Sequence, residues 1–206
     1  MPAILTYTMD KLTSLNLSFD RVLIQLVIPG VIAIFPWFIF FLNAHPHAKS
    51  YLHSNTNVTI LAIIFLSLIT GLVLENIGGR IEVMWLDERN KKNYVKYEET
   101  WNNFLLLTYD KNEPVGQRYL RNILLRMKFE LSTAIAMVPL SIGLTFVNYY
   151  HSIFNNCFAF IMIIFVLPTL FLIYLLYEAA SSSKVLATTR KLLVEEFYKC
   201  KTTAND

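Results

Sequence analysis

The chain has 206 residues, 55% of them hydrophobic and 16% charged, and its mean hydropathy is +0.45. A soluble domain carries about a quarter charged residues, so this composition excludes an ordinary soluble globular protein. The formal net charge of +3 comes from cations gathered on one side of the apolar runs, and no direct nucleic-acid binding is expected from it.

Four runs are long enough to cross a bilayer, which takes about 20 apolar residues. They cover residues 22–42, 58–77, 131–147 and 158–177. The expected fold class is all-α: a polytopic membrane protein with four transmembrane helices and helical cytoplasmic extensions. Residues 1–206 form one membrane domain, with a cytoplasmic helical region over 78–130 and a cytoplasmic tail over 178–206. Of the 18 lysines and arginines, only Lys49 falls on the side that holds the loop after the first run and the turn after the third. The positive-inside rule then places both termini and the central region in the cytoplasm.

Residues 1–20 carry Leu5, Met9, Leu12 and Leu15 at helical steps. That pattern fits a short helix on the inner membrane surface, or an unstructured terminus. The first run exceeds the apolar core of a signal peptide, so it is expected to stay as an anchor. It contains Gln25, Pro29, Gly30 and Pro36. Proline favours bends; packing is the expected role here, a hinge or pore lining the alternative. Trp37 is placed as an aromatic anchor at the outer interface. The outer loop holds His45, His47 and His53 without any Asp or Glu, so an ordinary polar loop is expected and no metal site. Cys157 and Cys200 fall on opposite sides of the membrane and are not expected to pair.

The second run leads into residues 70–92, where charge becomes dense while apolar spacing stays helical. Ser67, Gly71, Glu75, Gly78 and Glu82 share one face. Small residues admit a close helix neighbour, and a carboxylate at that depth points into protein or water. This face is read as an oligomer or gating stripe. Arg80, Arg126 and Lys128 are its possible charge partners. Arg80, five residues on, lies on another face, so Glu75 is expected to pair across helices with Arg126 or Lys128. Asp87 with Lys91 and Glu88 with Lys92 have the spacing of helical ion pairs. Tyr94, Tyr97, Trp101, Phe104 and Leu105 then recur at helical spacing, either as interfacial anchors or as a docking surface for a cytosolic partner. The run from Tyr109 to Pro114 is a break, with Asp110 or Asn112 as a cap.

Beyond it Leu120, Ile123, Leu124, Met127 and Leu131 mark an amphipathic helix that feeds the third run. Arg118, Arg121 and Lys128 on another side are contacts for the membrane surface or an anionic ligand. The third and fourth runs form an antiparallel hairpin. The tail is amphipathic through Val185, Leu186, Leu192, Leu193 and Phe197. No zincin pair, nucleophile elbow or phosphate-cradling glycine loop is present in the sequence, so no catalytic, cofactor-binding or metal-binding residues are assigned.

Four spans, both ends inside and a charged helix exit from Gly71 to Glu82 resemble the membrane subunit of bacterial anti-phage defence systems, the Kiwa system in particular. The resemblance covers the whole chain in architecture and assigns no site residues. It implies a homo-oligomer, a tetramer as first guess, in the bacterial inner membrane. That assembly would respond to infection and work with a cytosolic protein encoded beside it. The expected function is a membrane sensor or scaffold that engages this partner. The alternative is a channel or pore-forming effector, and a membrane-embedded enzyme ranks last.

Overall fold

The computed structural model describes the backbone of residues 2–93, 97–105, 115–151 and 157–203, and side chains within 23–93, 97–104, 119–150 and 159–195. Among the described residues every one is helical except His45 and Asn55. Helix α1 runs Pro2–Ala44, α2 Pro46–Ser54 and α3 Thr56–Ile81. A π-helical turn, Glu82–Asp87, joins α3 without interruption to α4, Glu88–Asn93. Helix α5 is Tyr97–Leu105 and α6 is Val115–His151. Helix α7, Cys157–Ile161, passes through a second π turn, Met162–Val166, into α8, Leu167–Thr203. Four of these helices are long and apolar enough to cross a membrane, so the protein is an all-α polytopic membrane protein.

Helix α6 is the centre. Half of its apolar window is buried, against 17–22% in the other three long helices. It packs against α1, α3 and α8; α1 also packs against α3, and α5 lies on α8. The outward faces keep large apolar side chains such as Leu61, Phe65 and Leu170 exposed, as lipid-facing helices require.

Bilayer lipid gives helices little hydrophobic drive to associate, so close backbone contact must supply attraction. The crossing of α1 and α3 does this. A Cβ on Gly30 would fall on the Ser67 carbonyl oxygen, and one on Gly71 would fall on the Leu26 carbonyl oxygen. Each helix thus offers two contact points four residues apart. Ser67 is fully buried, and its hydroxyl donates to the Ile63 carbonyl at 2.6 Å. Gly78 meets α6 instead, 3.4 Å from Leu131 Cβ. Beside the crossing, Ala33, Leu74 and Ala136 form one apolar cluster across α1, α3 and α6. A second, Leu86 with Met127, Leu131 and Ala179, lies toward the charged end.

Both prolines of α1 are buried inside a continuous helix. Pro36 packs on Gly143, where a Cβ would lie 2.7 Å from its Cγ. Pro36 thus has the packing role expected of it. Trp37 is more than an interfacial anchor. Its indole Nε1 donates to the Pro139 carbonyl at 3.1 Å, and its ring lies 5.6 Å from that of Phe146.

The π turns have separable causes. Pro168 lacks the N–H that would reach Ile164, and its ring crowds that carbonyl. The turn at Met162–Val166 is where this conflict is absorbed. The turn at Glu82–Asp87 shifts register. Buried positions on α3 run 67, 71, 74 and 78, then continue at 86 and 90. An unbroken helix would continue at 85 and 89, but Trp85 and Arg89 are exposed. One extra residue in the turn accounts for the phase change.

Three expectations change. The separate surface helix at the N-terminus is instead an uninterrupted extension of α1; no Gly or Pro falls between residues 3 and 28 to break it. The histidine loop is a helix, α2, with Pro46 in its first turn. Thr59 Oγ1 ties it to α3 by donating to the Leu52 carbonyl at 2.7 Å. The tail buries Leu186, Ala187, Arg190 and Val194, while Val185 and Leu192 are exposed. The break from Tyr109 to Pro114 lies outside the described residues.

Gly71→Ala should weaken the fold by about 1–3 kcal/mol, because the new methyl meets backbone that cannot yield. Gly79→Ala meets nothing within 4 Å and should leave stability equal or raise it by about 1 kcal/mol. Unfolding in mixed detergent, followed by circular dichroism, checks the pair. Equal loss in both variants would contradict the crossing described.

Candidate functional site

The apolar runs end near Ile77 and Tyr177, and all the interhelical ion pairs described lie at or beyond that level. Glu75 pairs with Lys128 across α3 and α6 at 3.4 Å, as the stripe's depth predicts. Both side chains are more than a third exposed, so the pair contributes little, about 0–1 kcal/mol. Arg126 takes a different role. Its Nε donates to Glu130 Oε1 at 2.6 Å and its Nη2 to Glu178 Oε2 at 2.9 Å.

Glu130 is 5% exposed. Its second oxygen accepts from Ser182 Oγ at 3.1 Å. A buried carboxylate needs a cation and hydrogen bonds to offset desolvation, and here α6 and α8 supply both. One turn further out, Asn90 Nδ2 donates to Ser183 Oγ at 2.8 Å and ties α4 to α8. The adjacent serines fit because α8 presents Ala179, Ser182, Ser183 and Ala187 to its neighbours.

Arg190 anchors α5. Its guanidinium carbon lies 3.9 Å from the centre of the Trp101 ring. The residue is 9% exposed, beyond the apolar run, and burial lowers its pKa against the opposing effects of Tyr97, Asp87 and Glu82. Tyr97 donates to Asp87 Oδ1 at 3.0 Å. Burial raises the Tyr97 pKa above 10.0, with Asp87 adding to the shift. Glu82, also beyond the apolar run, is held above the usual carboxylate value by burial and then by Asp87; Lys128 and Arg190 oppose this. Glu82, Asp87, Lys128 and Arg190 all line a cavity of about 600 Å³ between α5, α6, α8 and the π turn.

Ser67, Gly71 and Gly78 are buried within one chain against α1 and α6, so the small part of the stripe is occupied intramolecularly. Glu75 and Glu82 are half-buried, and Arg80 is exposed beside Glu75 in a neighbouring groove. Arg121 is exposed. The side chain of Arg118 and all of Tyr94 lie outside the described residues. Tyr97 and Trp101 face Arg190 and Asp87. The spacing rule paired Asp87 with Lys91; instead Asp87 accepts from Tyr97, and Lys91 lies 2.9 Å from Glu98. Asp87 and Lys91 still line one cavity, but α5 brings Tyr97 and Glu98 over to take the direct contacts.

The sequence reading missed Glu130, Ser182, Ser183, Asn90 and Arg190. Glu130 and Arg190 did carry a signal. Each is an ionisable residue on an apolar helical face, Glu130 three after Met127 and Arg190 four after Leu186. Thr133 Oγ1 in α6 is the one buried side-chain polar atom without a hydrogen-bond partner among the described residues. No group of His, Cys, Asp and Glu among the described residues is arranged to hold a metal. Comparison with protein-family models, with curated proteins and with solved structures finds no match.

The Glu130 geometry predicts an asymmetry. Arg126 is 62% exposed as a side chain and Glu130 only 7%. Arg126→Ala strips a buried carboxylate of its cation and should cost about 3 kcal/mol. Glu130→Gln leaves Arg126 free to hydrate and should cost only about 1 kcal/mol. Detergent-induced unfolding measures both, and equal costs would contradict the burial argument.

A pH prediction follows from Tyr97. Its raised pKa contributes stability fully present below the ordinary phenol value of 10.0 and lost as pH rises through the folded value. Wild type should therefore lose more stability than Tyr97→Phe on going from about pH 9 to about pH 11. Parallel curves would remove Tyr97 from the account.

Proposed function

We propose that the chain is a membrane-anchored sensor or scaffold whose charged end engages a cytosolic protein. One observation carries this reading: three of the helices continue far past their apolar runs, and the described residues there pack together through polar contacts. At about 1.5 Å per residue, α4 with the π turn and the outer part of α6 each project about 24 Å, and α8 projects about 39 Å. A helix that only anchors has no need of such extensions. Their surface is charged, with Glu88, Arg89 and Lys92 of α4 exposed, and it suits electrostatic selection of a partner.

The four-span architecture with this charged exit supports placing the protein in bacterial anti-phage defence, as a homo-oligomer in the inner membrane with both termini cytoplasmic. The partner in this reading is encoded beside it. A channel within one chain is the weaker reading. The interior of the apolar layer is filled where Gly30 and Gly71 bring backbones into contact and where Ala33, Leu74 and Ala136 pack. A pore formed between copies is the form of that alternative that the test addresses.

Co-purification with the neighbouring gene product from membranes tests the proposal. Arg89→Glu with Lys92→Glu should weaken capture about tenfold, a loss of about 1.4 kcal/mol, without changing membrane insertion. Glu75→Gln should insert normally and fail to protect cells in a phage challenge. Ion flux from purified protein in liposomes, with no partner captured, would favour the effector reading instead.

A further inference from the structure

From the edge of the buried stripe outward, α3 and the π turn present Leu72, Glu75, Asn76, Gly79, Arg80 and Val83. They form one wall of a groove of about 520 Å³, and Lys128 of α6 also lines it. Val83 and Lys128 also line the 600 Å³ cavity that holds Glu82, Asp87, Arg190 and Trp101. The two spaces therefore adjoin. From Leu72 to Met84 the groove follows about 18 Å of helix at 1.5 Å per residue. It begins on apolar surface inside the membrane run and ends among charges beyond it.

Three features define the occupant. The cavity lining carries three cations, Lys91, Lys128 and Arg190, and three carboxylates, Glu82, Asp87 and Glu98. An anionic ligand alone would meet all three carboxylates, whereas a zwitterion meets both signs. The carboxylates accept hydrogen bonds, which an ammonium with N–H groups supplies and a quaternary ammonium does not. Gly79 lines the groove, and a Cβ there would meet nothing within 4 Å. No protein contact requires a glycine there, and its bareness keeps the groove open.

We propose that the groove and cavity bind one phospholipid of the phosphatidylethanolamine class, drawn from the leaflet at the charged end. The phosphate sits between Lys128 and Arg190, and the ammonium faces Glu82 and Asp87. An acyl chain leaves past Gly79 toward Leu72. This site is separate from the exposed α4 charges assigned to a protein partner, and it stands whether or not that partner exists.

Native mass spectrometry of the full-length protein in detergent tests the site with added phosphatidylethanolamine, phosphatidylcholine, phosphatidylglycerol or soluble glycerophosphoethanolamine. Wild type should retain phosphatidylethanolamine selectively. Glu82→Gln, which preserves shape, should weaken that binding about tenfold, the effect of one charge-assisted hydrogen bond, and should not weaken phosphatidylglycerol. Gly79→Leu should abolish selective retention while helicity is kept and the unfolding midpoint does not fall. Equal retention of the three lipids by wild type would overturn the proposal, as would unaltered selectivity in a folded Gly79→Leu or in Glu82→Gln. Binding of the soluble headgroup as tight as that of the lipid would overturn the lipid assignment and leave a site for a soluble zwitterion.

Discussion

Because lipid tails are as apolar as the side chains that face them, the helices of this protein cannot be held together by burying hydrophobic surface from water. Association must come from backbone proximity and from polar groups that find no better partner. The protein divides these between two levels. Within the apolar layer, Gly30 and Gly71 bring α1 and α3 into carbonyl contact. At the charged boundary, Glu130 draws Arg126 and Ser182 to itself. Helix α6 takes part at both levels, through Ala136 and Gly143 at one and Glu130 at the other, which is why it is the most buried of the four.

Much of this architecture is legible in sequence because a bilayer simplifies the problem. Run length marks spans, and an unpaired charge at depth demands a partner; Glu75 found one in Lys128 by that logic. Small residues were legible as packing surface, but not which helix they would meet. Ser67, Gly71 and Gly78 share one face, and an identical face serves an oligomer or a neighbour in the same chain. The partner is fixed by Gly30 and Leu26, which lie in another helix. Charge complementarity can point from one helix to another, as for Glu75 and Lys128, but a stripe of small residues carries no such mark of its partner.

Register was the harder loss. Helical spacing alone continues the buried face of α3 to Trp85 and Arg89. The extra residue accommodated over Glu82–Asp87 rotates everything after it, so Leu86 and Asn90 turn inward while Trp85 and Arg89 turn out. No proline marks this turn, unlike the one before Pro168. Arg190 was hidden for a related reason. It occupies an apolar face of a segment that reads as an ordinary amphipathic tail, and its role depends on α5 folding back to bring Trp101 over it.

The register shift also determines what the charged end can present. Had α3 continued without the π turn, the buried series would have reached Trp85 and Arg89. Leu86 would then be out of phase with Met127 and Leu131, and Asn90 with Ser183. The shift lets one helix leave the membrane in contact with α6 and then lean on α8, while Asp87 turns to meet Tyr97. The cavity among α5, α6, α8 and the turn exists because these contacts are satisfied on different faces of one continuous rod. A turn of this kind stores its geometry in backbone hydrogen bonds rather than in side chains. Its phase therefore sets both which residues of α3 meet α6 and which residues of α4 meet α8.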